Sequence, residues 1–135
     1  MFVTLCYAQL DPATGEVVYV NAGHNPPLLY RADQDQLTEL ARTGMALGVD
    51  DTCQFDQRSV TLDSGDFMLL YTDGVTDATN AQEQEFGQER LRRVILDRRG
   101  ASAADMVDAL QQALSEFVGS TPPFDDITVV AVKRL

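Results

Sequence analysis

Phe67-Met68-Leu69-Leu70-Tyr71-Thr72-Asp73-Gly74-Val75-Thr76-Asp77 is the stretch that decides the fold of this 135-residue chain. Its first part, Phe67 to Thr72, is an apolar run that predicts a strand. The second part delivers Asp73 at that strand's end, and Gly74 removes the Cβ that would crowd anything bound there. The four-residue gap from Asp73 to Asp77 puts both carboxylates on one side of any helical turn that starts here.

Upstream, Asp63-Ser64-Gly65-Asp66 is a turn, and Gln54 to Leu62 ahead of it predicts a hairpin with 67–72. Gly44-Met45-Ala46-Leu47-Gly48 is a loop bracketed by glycines, and Ala32 to Gln36 is another turn. Leu28 to Arg31 is extended, but Ala22-Gly23-His24-Asn25-Pro26-Pro27 cannot continue a central strand because proline lacks an N–H. Phe2 to Leu10 and Glu16 to Asn21 predict a hairpin across Asp11-Pro12-Ala13-Thr14-Gly15.

Downstream the character changes. Phe86, Leu91, Val94 and Ile95 fall on one face of a helix predicted over 86–99, with Gly100 as its stop. Ser102 caps a second helix that carries Met106, Val107, Leu110, Leu114 and Phe117 at three- and four-residue spacing and ends near Gly119. Thr121-Pro122-Pro123 breaks the pattern, and Ile127 to Val132 is a continuous apolar run, predicted as a strand buried on both faces. The sum is α+β: strands, then two helices, then a returning central strand.

The length is that of one domain, and a chain near 150 residues buries roughly two-thirds of its unfolded surface, enough for a real core, which speaks against disorder. A net charge of −11 opposes the electrostatic attraction on which nucleic-acid binding depends. No apolar run approaches the roughly 18 residues needed to span a bilayer, and the opening Met-Phe-Val-Thr-Leu-Cys lacks the basic region of a signal peptide. Cys6 and Cys53 lie far apart with no C-x-x-C spacing, which fits a reducing cytoplasm. With His24 the only histidine, a multi-histidine metal site is excluded and chemistry falls to the carboxylates.

Asp125-Asp126 stands just before the final strand, so carboxylates are presented at two strand ends. Oxygen donors without His or Cys select Mg²⁺, Mn²⁺ or Ca²⁺ over zinc or copper. Asp-Gly is also an ordinary turn dipeptide, and an Asp before a strand is an ordinary solvated loop end, so spacing alone leaves both readings open.

Three strings, in order, carry a resemblance: Tyr19-Val20-Asn21-Ala22-Gly23-His24-Asn25-Pro26-Pro27, Tyr71-Thr72-Asp73-Gly74-Val75-Thr76-Asp77-Ala78 and Phe124-Asp125-Asp126-Ile127-Thr128-Val129-Val130. Together they closely resemble the bacterial SpoIIE/RsbU-type branch of the PPM protein phosphatases, essentially from Met1 to Leu135. The resemblance implies an antiparallel β-sandwich flanked by helices and a two-metal Mn²⁺/Mg²⁺ centre. It implies that a metal-activated water attacks a phosphoserine or phosphothreonine in line. It makes Asp73 and Asp125 metal ligands through which the water is activated, puts Asp77 at an additional weaker metal position and gives Asp126 a supporting role. Relatives commonly act on a phosphorylated anti-anti-sigma factor in partner switching, with sensor or receiver domains upstream.

One departure stands out. The family's catalytic domain opens with a segment carrying a metal-bridging Asp and a Gly, followed by two helices, and nothing here matches it. Met1 reads as an internal methionine of a longer protein, and 1–135 as the C-terminal part of a single phosphatase domain. The expected consequences are weak Mn²⁺ binding, feeble catalysis, and an uncovered sheet face that promotes pairing as a homodimer. The alternative function is a non-catalytic module that binds a phosphoprotein or metal on the phosphatase fold.

Three features have structural readings. His24, beside two prolines, locks its loop by hydrogen bonds. Cys6 and Cys53, in strand-like segments, pack as small hydrophobes. Arg90, Arg92, Arg93, Arg98 and Arg99 form the solvated face of their helix.

Overall fold

The computed structural model describes residues 1–123 and 125–135; Phe124, the first residue of the third motif, lies outside the described residues. The chain is α+β with antiparallel sheets, as predicted. Its contacts divide it into two compact units, Met1–Asp66 with Arg134–Leu135, and Phe67–Lys133.

The first unit contains β1 (Leu5–Leu10), β2 (Glu16–Ala22), β3 (Leu28–Arg31), β4 (Gln36–Glu39) and β5 (Arg58–Thr61). β1 and β2 form the predicted hairpin, in register from Leu5 opposite Ala22 to Leu10 opposite Val17. Its turn is closed by the Asp11 carboxylate, which accepts from the Ala13 amide at 3.0 Å. Gly15 is required twice over: its φ is +79°, and a Cβ there would stand 2.0 Å from Arg134 Nη1. That guanidinium donates to the carbonyls of Thr14 and Leu62.

β2 pairs on its other side with β5, Glu16 opposite Thr61 through Tyr19 opposite Arg58. The predicted hairpin of 54–62 with 67–72 is therefore not formed. The turn between them is held by Asp66, whose buried carboxylate accepts from the amides of Asp63 and Ala32 and from Arg31 Nη1. Those bonds tie the turn to the end of β3 instead of closing a hairpin. β4, which no sequence pattern announced, pairs with β3 from Leu28 opposite Glu39 to Arg31 opposite Gln36.

Buried apolar side chains of this unit include Val17, Tyr19, Leu28, Leu29, Tyr30, Leu40 and Leu62, and full burial of a Val or Leu contributes about 1.5–3 kcal/mol. Cys6 lies on β1, half-buried, where burial pushes its thiol pKa up. Cys53 lies outside every strand, in a turn where its amide bonds to the Asp50 carbonyl, so the expectation of a strand position fails. β1 leaves Leu5 and Tyr7 48% and 60% exposed.

The second unit contains β6 (Phe67–Tyr71), α1 (Asp73–Thr76), α2 (Gly87–Asp97), α3 (Ala103–Val118) and β7 (Val129–Lys133). β6 is buried at Phe67, Met68, Leu69 and Tyr71, and pairs antiparallel with β7 from Phe67 opposite Lys133 to Tyr71 opposite Val129. The expectation that the final strand is buried on both faces is not met: Val130 is 50% exposed and its neighbours are only half-buried. An unbroken apolar run reports hydrophobicity, not the number of layers packed on a strand.

α3 packs on β7 and against α2, burying Met106, Leu110 and Leu114. Ser102 caps α3 by accepting from the Asp105 amide at 3.0 Å. On α2, Leu91 and Ile95 face inward as predicted. Arg90 departs from the solvated pattern: it lies over the Phe117 ring at 4.7 Å and donates to the carbonyls of Glu85 and Phe86. The ring recovers a cation–π contact that periodicity cannot reveal.

Candidate metal centre

The second and third motifs meet at the ends of the β6 and β7 pair. One residue beyond Tyr71, Thr72 lies opposite Thr128 and donates its amide to the Thr128 carbonyl at 3.1 Å. The chain then turns at once into α1, a single turn closed by the Asp77 amide on the Asp73 carbonyl at 2.8 Å. Asp73 opens this turn and Asp77 ends it, both exposed, so the four-residue spacing is realised on one side of a helical turn.

Gly74 is buried, and a Cβ on it would stand 2.1 Å from the Asp126 carbonyl oxygen. What glycine admits at this position is thus the backbone of the other motif. Asp125 is exposed and takes a bond from the Asp126 amide on its own carboxylate at 2.8 Å. Asp77, Asp125 and Gly74 line one cavity of about 450 Å³, whose other walls include Val107, Leu110 and Leu114 of α3 together with Ile127 and Val129. Asp73 is not among its lining residues.

The donors here are hard carboxylate oxygens, which fit Mn²⁺ or Mg²⁺ in kind. In number they fall short: among the described residues no group of three or more His, Cys, Asp or Glu side chains gathers to hold a metal ion. The loop around His24 belongs to the first unit. Its ring Nδ1 stands 3.0 Å from Thr4 Oγ1, its amide donates to Asn21 Oδ1, and its carbonyl accepts from Arg42. Asn21, fully buried, also accepts and donates through its backbone to Thr43.

The family model for stage II sporulation protein E matches residues 1–135. The chain belongs to the SpoIIE family. It is 34% identical over 134 residues to Protein IcfG of Synechocystis sp., and 26% identical over 134 residues to the phosphoserine phosphatase RsbU of Bacillus subtilis. Each match covers 99% of this chain but only 21% and 39% of those relatives. Among solved structures, the fold matches the SiaA-PP2C domain of Pseudomonas aeruginosa with a TM-score of 0.82 at 22% identity, over 96% of this chain and 51% of that one. It matches the RsbU and RsbW domains of Rv1364c from Mycobacterium tuberculosis with a TM-score of 0.73 at 31% identity, over 97% and 36%. This SpoIIE-family chain is therefore a domain of the SpoIIE/RsbU-type PPM phosphatases, a group of signal-transduction hydrolases. No helix among its described residues is long and apolar enough to cross a membrane.

Thr72 belongs to the second motif, but its sequence gives it no role; the structure shows it bonded to the third motif through the Thr128 amide and the Asp126 carbonyl. Its signal was position alone: a hydroxyl residue at the last ladder level before the Asp-Gly turn.

Proposed function

We propose that the protein is a cytoplasmic, metal-dependent serine/threonine phosphatase, and that residues 1–135 are part of its single catalytic domain. Its substrate is phosphoserine or phosphothreonine on a regulatory protein of the anti-anti-sigma class, within a partner-switching cascade fed by an upstream sensor or receiver domain. The observation that carries this reading is the contact of Gly74 with the Asp126 carbonyl, which brings the two Asp-bearing motifs of a phosphatase family against one another.

Asp73 and Asp125 are the residues that would hold Mn²⁺ or Mg²⁺, with Asp77 at an additional weaker position. When bound, the metal pair supplies Lewis acidity toward the phosphoryl group and an activated water. The chain itself supplies the negative charge that attracts the cations, and Gly74 supplies the close approach. Asp126 contributes its carbonyl to that approach and its exposed carboxylate as outer support.

A second reading, a non-catalytic module that binds a phosphoprotein or metal, is favoured by the shortage of gathered carboxylates. Mn²⁺-dependent hydrolysis of p-nitrophenyl phosphate by the protein and by its Asp73→Asn variant separates the two. Turnover that needs both Mn²⁺ and Asp73 supports the enzyme; absence of turnover with retained Mn²⁺ binding supports the module.

A further inference from the structure

The turn that carries His24, in the first unit, holds more hydrogen-bond donors than it uses. Asn21 and Thr43 lie side by side: the Thr43 amide donates to the Asn21 carbonyl at 2.9 Å, and the Asn21 amide donates to Thr43 Oγ1 at 2.9 Å. Beyond them, Arg42 Nε donates to the His24 carbonyl at 2.9 Å, which sets the guanidinium beside the His24 peptide. Arg42 is exposed, and neither of its Nη groups has a partner among the described residues. Asp56, whose amide bonds to the Thr43 carbonyl at 3.0 Å, makes no ion pair with Arg42 among the described residues.

The His24 ring is anchored separately, its Nδ1 standing 3.0 Å from the Thr4 hydroxyl. With that hydroxyl as donor, Nε2 carries the ring proton, and Nε2 too has no partner among the described residues. Inside the same turn Asn21 is fully buried, its Oδ1 accepting from the His24 amide at 2.8 Å while its Nδ2 has no acceptor among the described residues. The bond to Oδ1 fixes which way the amide faces, since the reversed group would set two donors against each other. Buried donors without partners are few in native proteins, and they mark places where an ion or ordered water completes the bonding.

We propose that Asn21, His24 and Arg42 form a binding site for a phosphate-type oxyanion, carried on a phosphoserine or free as inorganic phosphate. Arg42 offers its Nη groups in the planar fork that matches phosphate oxygens. His24 offers Nε2 from a ring held by Thr4, and Asn21 Nδ2 is the inner donor. A phosphate presents oxygens enough for three separate side chains, where a carboxylate presents two. In a chain of net charge −11, local donors of this kind are what allow an anion to settle. Neither Asp73 nor Asp125 takes part, so the site stands or falls apart from the metal reading.

His24 is the only histidine in the chain, so its ring signals in proton magnetic resonance report on this site directly. Wild type, Arg42→Gln, His24→Gln and, as a control, Arg58→Gln at an exposed arginine of β5 are titrated with inorganic phosphate at constant ionic strength, with circular dichroism to establish folding. The His24 variant is read through the Gly23 amide signal, which also serves as a second reporter in the others. The expected result is a saturable shift in wild type, weakened by about tenfold to 100-fold in Arg42→Gln and in His24→Gln, each losing one charge-assisted bond, and unchanged in Arg58→Gln. If one of the two site variants does not fold, the other carries the test by the same measure. A phosphoserine peptide titrated in parallel separates the sources: tighter binding than inorganic phosphate assigns the site to a protein-borne phosphoryl group, and weaker binding assigns it to free phosphate. A wild-type shift that never saturates, or that chloride reproduces, overturns the proposal. Wild-type affinity in folded Arg42→Gln overturns it as well, as does a loss in Arg58→Gln equal to that in Arg42→Gln.

Discussion

A Cβ on Gly74 would stand 2.1 Å from the Asp126 carbonyl oxygen and 2.9 Å from its carbonyl carbon. Both are backbone atoms held beside Thr72 and Thr128, so nothing flexible can yield. Gly74→Ala must therefore push the third motif away from the second. The expected cost is about 1–3 kcal/mol of stability, the range for overpacking a filled interior. Thermal unfolding gives the first number and Mn²⁺ titration tests the accompanying loss of metal affinity; wild-type values in both would mean that the contact relaxes freely.

On the proposed reading, Asp73→Asn and Asp125→Asn each remove one charged oxygen donor that would hold the metal. Metal assistance contributes several kcal/mol to the transition state, so either variant should lose roughly 10²- to 10⁴-fold in kcat/KM toward a phosphoserine peptide. Asp126→Asn, acting from outside the ligand set, should lose only about tenfold. A larger loss at Asp126 than at Asp125 would reverse the assignment within that pair, and equal losses would remove the distinction between them.

The order of strands and helices was legible because it depends on local patterns: the Asp11 to Gly15 turn, the spacing of Leu91 and Ile95, and the polar punctuation at Ser102. Beyond the β1–β2 hairpin, strand partners were not. β5 with its lone Val60 opposite Val17 gives no local hint that it chooses β2, and β4 carries only Leu37 as an apolar residue between polar ones. The Asp66 carboxylate that redirects the turn acts through Ala32 and Arg31, more than thirty residues away. At the site, Asp73, Asp77 and Asp125 were readable as words of a family, whereas Thr72 and the Asp126 carbonyl become visible only when two segments over fifty residues apart are brought side by side.

Ser102 offers a direct measure of one local signal. Its hydroxyl accepts from the Asp105 amide and is the side-chain cap of α3. Ser102→Ala should cost about 1 kcal/mol, and Ser102→Asp should recover most of it. Chemical denaturation of the three forms tests this; an unchanged midpoint for the alanine variant would show that packing of Met106, Leu110 and Leu114 holds α3 without its cap.

The Asp66 carboxylate gives the stability of the first unit a pH dependence. Burial alone would raise its pKa, but that effect is outweighed by the bonds from the Ala32 and Asp63 amides and from Arg31, which hold its carboxyl below the usual carboxylate range. A folded-state pKa below the unfolded one means that the carboxylate contributes stability above about pH 4, the ordinary value, and that this contribution disappears as pH falls through the folded pKa. Asp66→Asn keeps one acceptor and discards the charge, so at neutral pH it should destabilise by about 1–3 kcal/mol. The difference between wild type and variant should stay constant from pH 7 to about 5 and shrink below about pH 4. Urea unfolding across that series decides it: a difference that persists undiminished at pH 3 would show that the carboxylate's charge contributes nothing, and that Asp66 serves only as a neutral acceptor for the Ala32 and Asp63 amides.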